Sequence, residues 1–142
     1  MIKKTVLTLT MALAALAPMT GSASSADSPV REITGRGTLA CPKESLCLYQ
    51  DTGYNAAEPA KIWIITGNAE RLSTYDANDR TSSVYLNAPH SWKAKLYRDT
   101  NYEGGHISYY YSESPWGDDF TNLSSHMPEG WNDEVSSVEL VK

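Results

Sequence analysis

The sequence predicts an all-β fold, a sandwich or barrel of short strands, and three observations carry that prediction. Short apolar runs alternate with turn-forming residues along most of the chain, the pattern left by strands. No stretch of about 12 residues sustains the apolar stripe of a packed helix. Nine Tyr and four Trp stand against one Phe, and polar-tipped rings suit half-buried pleated surfaces. At 142 residues, 20% charged and 41% hydrophobic, the chain has the makeup of one core-forming domain and not of an acidic disordered tail.

The N-terminal stretch is read first, because it has to be set aside. Lys3 and Lys4 precede an apolar run over 6–17, and small residues follow to Ala26. This is the layout of a secretory signal peptide, assigned to residues 1–26. Cleavage after Ala23 and cleavage after Ala26 both fit. The apolar run falls short of the roughly 18 residues that a spanning helix needs. The mature protein is therefore expected to be secreted and extracellular, with no membrane partner. Residues 27–40 carry Pro, Ser and Gly without clean periodicity and read as an N-terminal extension. The domain proper is expected over 41–142.

Export makes the cysteines readable. Cys41 and Cys47 are the only two, and two cysteines in an oxidising compartment pair. The closed loop of about seven residues is worth roughly 2 kcal/mol in the chain-entropy treatment. The net charge of −5 excludes the basic footprint of a nucleic-acid binder.

After Cys41, apolar runs fall at 46–49, 62–65, 84–86, 96–97, 107–111 and 138–141. Val84-Tyr85-Leu86 and Val138-Glu139-Leu140 alternate, as half-buried strands do. An internal repeat underlies these runs. Residues 48–54 (Leu-Tyr-Gln-Asp-Thr-Gly-Tyr) match 96–102 (Leu-Tyr-Arg-Asp-Thr-Asn-Tyr) at an offset of 48. Residues 78–86 match 132–140 at an offset of 54, so the second repeat carries six extra residues, assigned to 112–131. Neither repeat is large enough to close a core alone.

The chemistry is concentrated in Asn-Asp-x-x-Ser-Ser, found at 78–83 and again at 132–137. Asp79 and Asp133 offer carboxylate oxygen, Asn78 and Asn132 amide oxygen, and Ser82 and Ser136 hydroxyl oxygen. An all-oxygen set without Cys or His suits Ca²⁺ better than zinc or copper. The same residues also make ordinary turns, in which Asn, Asp and Ser bond the backbone before a strand. The hexapeptide by itself leaves both readings open.

With these residues in place, the chain resembles the βγ-crystallin superfamily, whose microbial members carry an (Asn/Asp)-(Asn/Asp)-x-x-(Ser/Thr)-Ser calcium motif. Both hexapeptides match it. The superfamily's Tyr-x4-Tyr-x-Gly hairpin signature is complete at Tyr97, Tyr102 and Gly104. In the first repeat Tyr49 and Tyr54 match, but Ala56 replaces the Gly, which points to a remodelled hairpin. Trp131 before the second motif is also typical, and Ala77 stands in its place in the first.

The resemblance implies a double Greek-key β-sandwich, with Greek keys at about 46–87 and 94–142. It also implies two calcium sites completed across the repeats, with Ser82 and Ser136 as exchanged ligands and the carbonyls of Arg80 and Glu134 facing the ions. Further carbonyls are expected near Gln50 and Arg98. Arg80 makes the first motif less anionic than the second, which has Glu134 and Glu129, so unequal sites are expected.

A second resemblance is local. Cys41-Pro-Lys-Glu-Ser-Leu-Cys47-Leu-Tyr49 is similar to the opening of small secreted bacterial metalloprotease inhibitors that share the Greek-key fold. It implies a secreted metalloprotease as a partner class. Those inhibitors have a second disulfide beside the inhibitory loop, and this chain has no cysteine left to form one.

Catalytic readings find no support. There is no Gly-x-Ser-x-Gly and no His-Glu-x-x-His. His90, His106 and His126 are scattered. Asp118 and Asp119 are adjacent, and on a strand they would face opposite ways. An EF-hand starting at Asp76 fails at Thr81 and Asn87, where Gly and Glu are required. The expectation is a non-enzymatic, monomeric calcium-binding module. A peptidase inhibitor or other protein-binding module on the same scaffold is the alternative, with the 112–131 loop as its contact segment.

Overall fold

The structure is a computed structural model, and it describes residues 28–110 and 123–142. The signal segment 1–26 and most of the 112–131 loop lie outside the described residues. Among the described residues eight strands form two antiparallel sheets, and in chain order these are β1 (Val30–Gly35), β2 (Ser45–Tyr49), β3 (Ala60–Ile65), β4 (Ser83–Asn87), β5 (Lys93–Tyr97), β6 (His106–Tyr110), β7 (Leu123–Ser124) and β8 (Ser137–Val141). The first sheet runs β1-β3-β2-β4-β7 and the second β6-β5-β8. This is the all-β class that the strand pattern predicts, in the double Greek-key form that the resemblance implies.

The repeat is preserved down to register. Tyr49 of β2 faces Ser83 of β4, and Tyr97 of β5 faces Ser137 of β8. The two repeats also exchange strands. β7, from the second repeat, pairs with β4 of the first through Val84–Ser124 and Tyr85–Leu123. In return, Ala69 of the first repeat bridges Val138 of β8. Each sheet therefore needs both repeats, as expected of units too small to close a core alone.

Alternation sets the core. Leu46 and Leu48 of β2, Trp63 and Ile65 of β3, and Val84 and Leu86 of β4 pack against Ala94, Leu96, Val138 and Leu140 of the second sheet. The Trp63 indole N–H is satisfied by the Tyr75 carbonyl at 3.2 Å, as a buried indole requires.

One expectation is corrected. Residues 27–40 were expected to lie outside the domain as an extension, yet 30–35 form β1, paired along its whole length with β3. Val30 joins the main core, and Ile33 packs on a second cluster of Cys41, Cys47, Tyr49, Ile62 and Ile64 on the outer face of the first sheet. The physical reason is that β2 and β3 are apolar on both faces, so the outer face also needs a cover. The Cys41–Cys47 disulfide (Cα–Cα 5.9 Å) is part of that cover.

Candidate functional site

The site is built from the two loops that lead into β4 and β8. Asp79 and Asp133 both take left-handed backbone conformations, with φ of 53° and 55°, which Asp tolerates better than most residues. The loops are zipped together by reciprocal backbone bonds. The Asp79 N–H donates to the Val135 carbonyl at 3.0 Å, and the Asp133 N–H to the Thr81 carbonyl at 3.0 Å. This pairing brings the two hexapeptides side by side although 54 residues separate them in sequence.

Their side chains cross. Ser136 Oγ donates to Asp79 Oδ1 at 3.2 Å, and Ser82 Oγ lies 3.4 Å from Asp133 Oδ1. Each carboxylate is thus matched with the serine of the other motif. On its second oxygen it accepts the side-chain amide of its own motif, Asn78 to Asp79 at 2.6 Å and Asn132 to Asp133 at 2.9 Å. The serine backbones are anchored to the hairpins, Ser82 N–H to the Tyr49 carbonyl at 2.9 Å and Ser136 N–H to the Tyr97 carbonyl at 2.8 Å.

An open cleft of about 300 Å³ lies here, lined by Gln50, Asp51, Asp79, Arg80, Ser82 and Asp133. Its candidate ligand atoms are oxygens of two motif carboxylates, a hydroxyl and the backbone, and among the described residues no three His, Cys, Asp or Glu side chains converge closely enough to hold a metal by themselves. Carboxylate, hydroxyl and carbonyl oxygen with no soft ligand fit a hard divalent cation and not a transition metal. The residues present therefore fit the ion that the sequence suggests. Asp79, Ser82 and Asp133 line the cleft, and Asn78, Asn132 and Ser136 join them through hydrogen bonds to the two aspartates; Glu134 lies in the second motif loop, its N–H on the Trp131 carbonyl at 3.3 Å. A larger cleft, about 550 Å³, lies beside the second hairpin around Glu70, Arg71, Tyr75 and Tyr102. It contains neither motif's carboxylate.

The last serine of each motif has a different task, which sequence reasoning missed. Ser83 Oγ donates to the Asp51 carbonyl at 2.7 Å and accepts the Tyr54 N–H at 3.0 Å. Ser137 repeats both bonds with Asp99 (2.6 Å) and Tyr102 (3.0 Å). These buried serines lock the folded hairpins, whose tyrosines meet edge-on, Tyr49 with Tyr54 and Tyr97 with Tyr102. The usable signal was that the sixth motif position and the hairpin Asp recur together in both repeats.

The first hairpin is indeed remodelled. Gly104 sits at φ 79°, where an added Cβ would come within 2.2 Å of Asp99 Oδ2. Ala56 instead takes a right-handed conformation at φ −66°. The Asn55 side chain compensates. Its Oδ1 accepts the Asp51 N–H at 2.8 Å, the place filled in the second hairpin by the Glu103 carbonyl accepting from Asp99 at 3.1 Å.

The other candidates behave as surface or packing groups. His106 lies against the Tyr97 ring and is exposed, as is His90. Tyr109 is buried while Tyr110 is exposed. Asp118 and Asp119 lie outside the described residues.

Comparison with known proteins bears on the fold and the family. A βγ-crystallin domain solved in work on the evolution of the eye-lens fold superposes with a TM-score of 0.58 at 20% identity, covering 80% of this chain and 97% of that one. A double-mutant βγ-crystallin domain from Clostridium beijerinckii matches with TM-score 0.51 at 24% identity, over 69% and 97% of the two chains. A double mutant of clostrillin in complex with nickel gives 0.53 at 21%, over 70% and 100%. No curated protein sequence matches the chain. The family model of peptidase inhibitor family I36 matches residues 35–110. That stretch is more than half of the chain, so the protein belongs to peptidase inhibitor family I36, built on the βγ-crystallin double Greek-key fold.

Proposed function

We propose that this is a secreted, non-enzymatic domain that binds calcium at two sites, each shared between the repeats. The observation that supports it is the reciprocal pairing of Asp79 with Ser136 and Asp133 with Ser82. In this reading Asp79, Asn78 and Ser136 serve one ion, and Asp133, Asn132 and Ser82 the other, with the Arg80 and Glu134 carbonyls as further ligands. A bound ion replaces the serine–carboxylate hydrogen bonds and ties the two Greek keys together. Ions that bind only the folded chain stabilise it by mass action, about 2.7 kcal/mol per site at a hundredfold excess over Kd. The test is a thermal melt in chelator and in millimolar CaCl₂. A rise of several degrees that Asp79→Ala and Asp133→Ala each reduce supports the reading. No rise in a folded protein reduces the motifs to turns.

Family membership favours a second reading alongside the first, inhibition of a secreted metalloprotease by the monomeric domain. The calcium-stiffened sandwich then serves as a scaffold for a contact loop. Nanomolar inhibition of a secreted metalloprotease supports it. The absence of any effect across a panel at micromolar protein counts against it.

A further inference from the structure

The two motif loops differ in one correlated pair of residues. At the third motif position the first repeat has Arg80 and the second Glu134. Four residues earlier the first repeat has Asp76 and the second Gly130. Both of these positions are left-handed, with φ of 56° and 75°. Glycine is the low-cost residue for that conformation, so an aspartate there needs a reason.

Arg80 supplies one. Arg80 lines the cleft that also holds Asp51, Asp79 and Asp133. A guanidinium reaching those carboxylates would compete with any cation for them. Instead, Arg80 Nη1 lies 2.8 Å from Asp76 Oδ2 and 3.5 Å from the Asp76 carbonyl. The same carboxylate holds Lys61 Nζ at 2.8 Å, and Lys61 reaches Glu32 on β1 at 3.1 Å. Asp76 is fixed in turn by its N–H, which donates to the carbonyls of Leu72 and Ser73. In the second repeat the third-position residue is acidic, and no such anchor is required.

We propose that Asp76 is a positioning residue that holds the Arg80 guanidinium away from the cleft carboxylates, and so sets the cation affinity of that cleft. This rests on the calcium reading above. Released from Asp76, Arg80 becomes a tethered competitor for the carboxylates.

Calorimetric titration with CaCl₂ at low ionic strength tests this on the wild type, Asp76→Asn, Arg80→Ala and the double variant. Asn tolerates the left-handed conformation and keeps the shape. Asp76→Asn is expected to weaken one site by roughly threefold to tenfold, the scale of one unit charge near a solvated ion. Arg80→Ala keeps the backbone carbonyl and removes the side-chain cation, so it is expected to bind more tightly than the wild type, and the double variant to stay within about twofold of Arg80→Ala. Asp76→Gly, which copies the second repeat, is expected to behave like Asp76→Asn. Equal weakening by Asp76→Asn with and without Arg80 would overturn the proposal, because Asp76 would then act only as one more negative charge. Unchanged affinity in Asp76→Asn would also overturn it, while leaving the calcium reading intact. A wild type that takes up no calcium removes both.

Discussion

Ser82 and Ser83 are neighbours in sequence and should fail in opposite ways. Ser83 is fully buried and makes two bonds, at 2.7 Å to the Asp51 carbonyl and 3.0 Å from the Tyr54 N–H. Ser83→Ala leaves one buried acceptor and one buried donor without partners, at about 1–3 kcal/mol each. Asp51 and Tyr54 are only partly covered, so water recovers some of this. The net loss is set at about 2–3 kcal/mol, or roughly 8–12 °C in Tm for a domain of this size.

Ser82 makes one side-chain contact, at 3.4 Å to Asp133 in the open cleft. Ser82 is buried too, but its partner Asp133 is exposed and can rehydrate, so removal in chelator should cost about 0.5–1 kcal/mol, less than the loss at Ser83. Calcium reverses the order. Ser83→Ala should keep the calcium-dependent rise in Tm, measured from its lower starting point. Ser82→Ala should lose the part of the rise that belongs to one site. Differential scanning calorimetry in EDTA and in CaCl₂ reads all four values. A Ser82→Ala protein with the full calcium increment would refute the division of labour, as would a Ser83→Ala protein as stable in EDTA as the wild type.

Other outcomes follow from single features. Thr81 is buried and its hydroxyl has no partner, while the matching position holds Val135; Thr81→Val should raise stability by about 1 kcal/mol in urea titration, since the shape is kept and an unpaired hydroxyl is removed. A mature chain shortened to begin at Gly37 loses β1, including Val30 and Ile33, and should lose about 3 kcal/mol, seen as a lower urea midpoint. The Glu139 carboxylate is held below its ordinary 4.5 by hydrogen bonds from the Tyr97 hydroxyl and Lys95. Its contribution is therefore fully present above that value and is lost as pH falls through the lower folded value. Stability measured from pH 5 downward should fall less steeply in Glu139→Gln than in the wild type.

Much of this architecture was legible because the chain repeats itself. Short apolar runs located β2 to β6 and β8, and the matched blocks paired Tyr49 with Tyr97 and Asp79 with Asp133, while the two-residue β7 fell inside the segment read as a loop. β1 was missed because Pro29 and Gly35 bracket a strand with little alternation, which reads locally as a linker. The continuous apolar runs of β2 and β3 did carry the missing information: strands buried on both faces need a second cover. The cross-repeat contacts were legible only through family resemblance, since nothing local says that Ser136 will meet Asp79 across 57 residues. Asp76 was beyond sequence reasoning, because its meaning depends on where the Arg80 side chain lies.

The central claim is that each cation site is assembled from both repeats. Calorimetric calcium titration of two double variants tests it most directly. Asp79→Ala with Ser136→Ala removes two groups assigned to one site, and Asp79→Ala with Ser82→Ala removes one group from each. The account predicts that the first variant still binds one calcium ion and that the second binds neither ion at wild-type affinity. The reverse pattern would mean that each site is built within a single motif and would contradict the account.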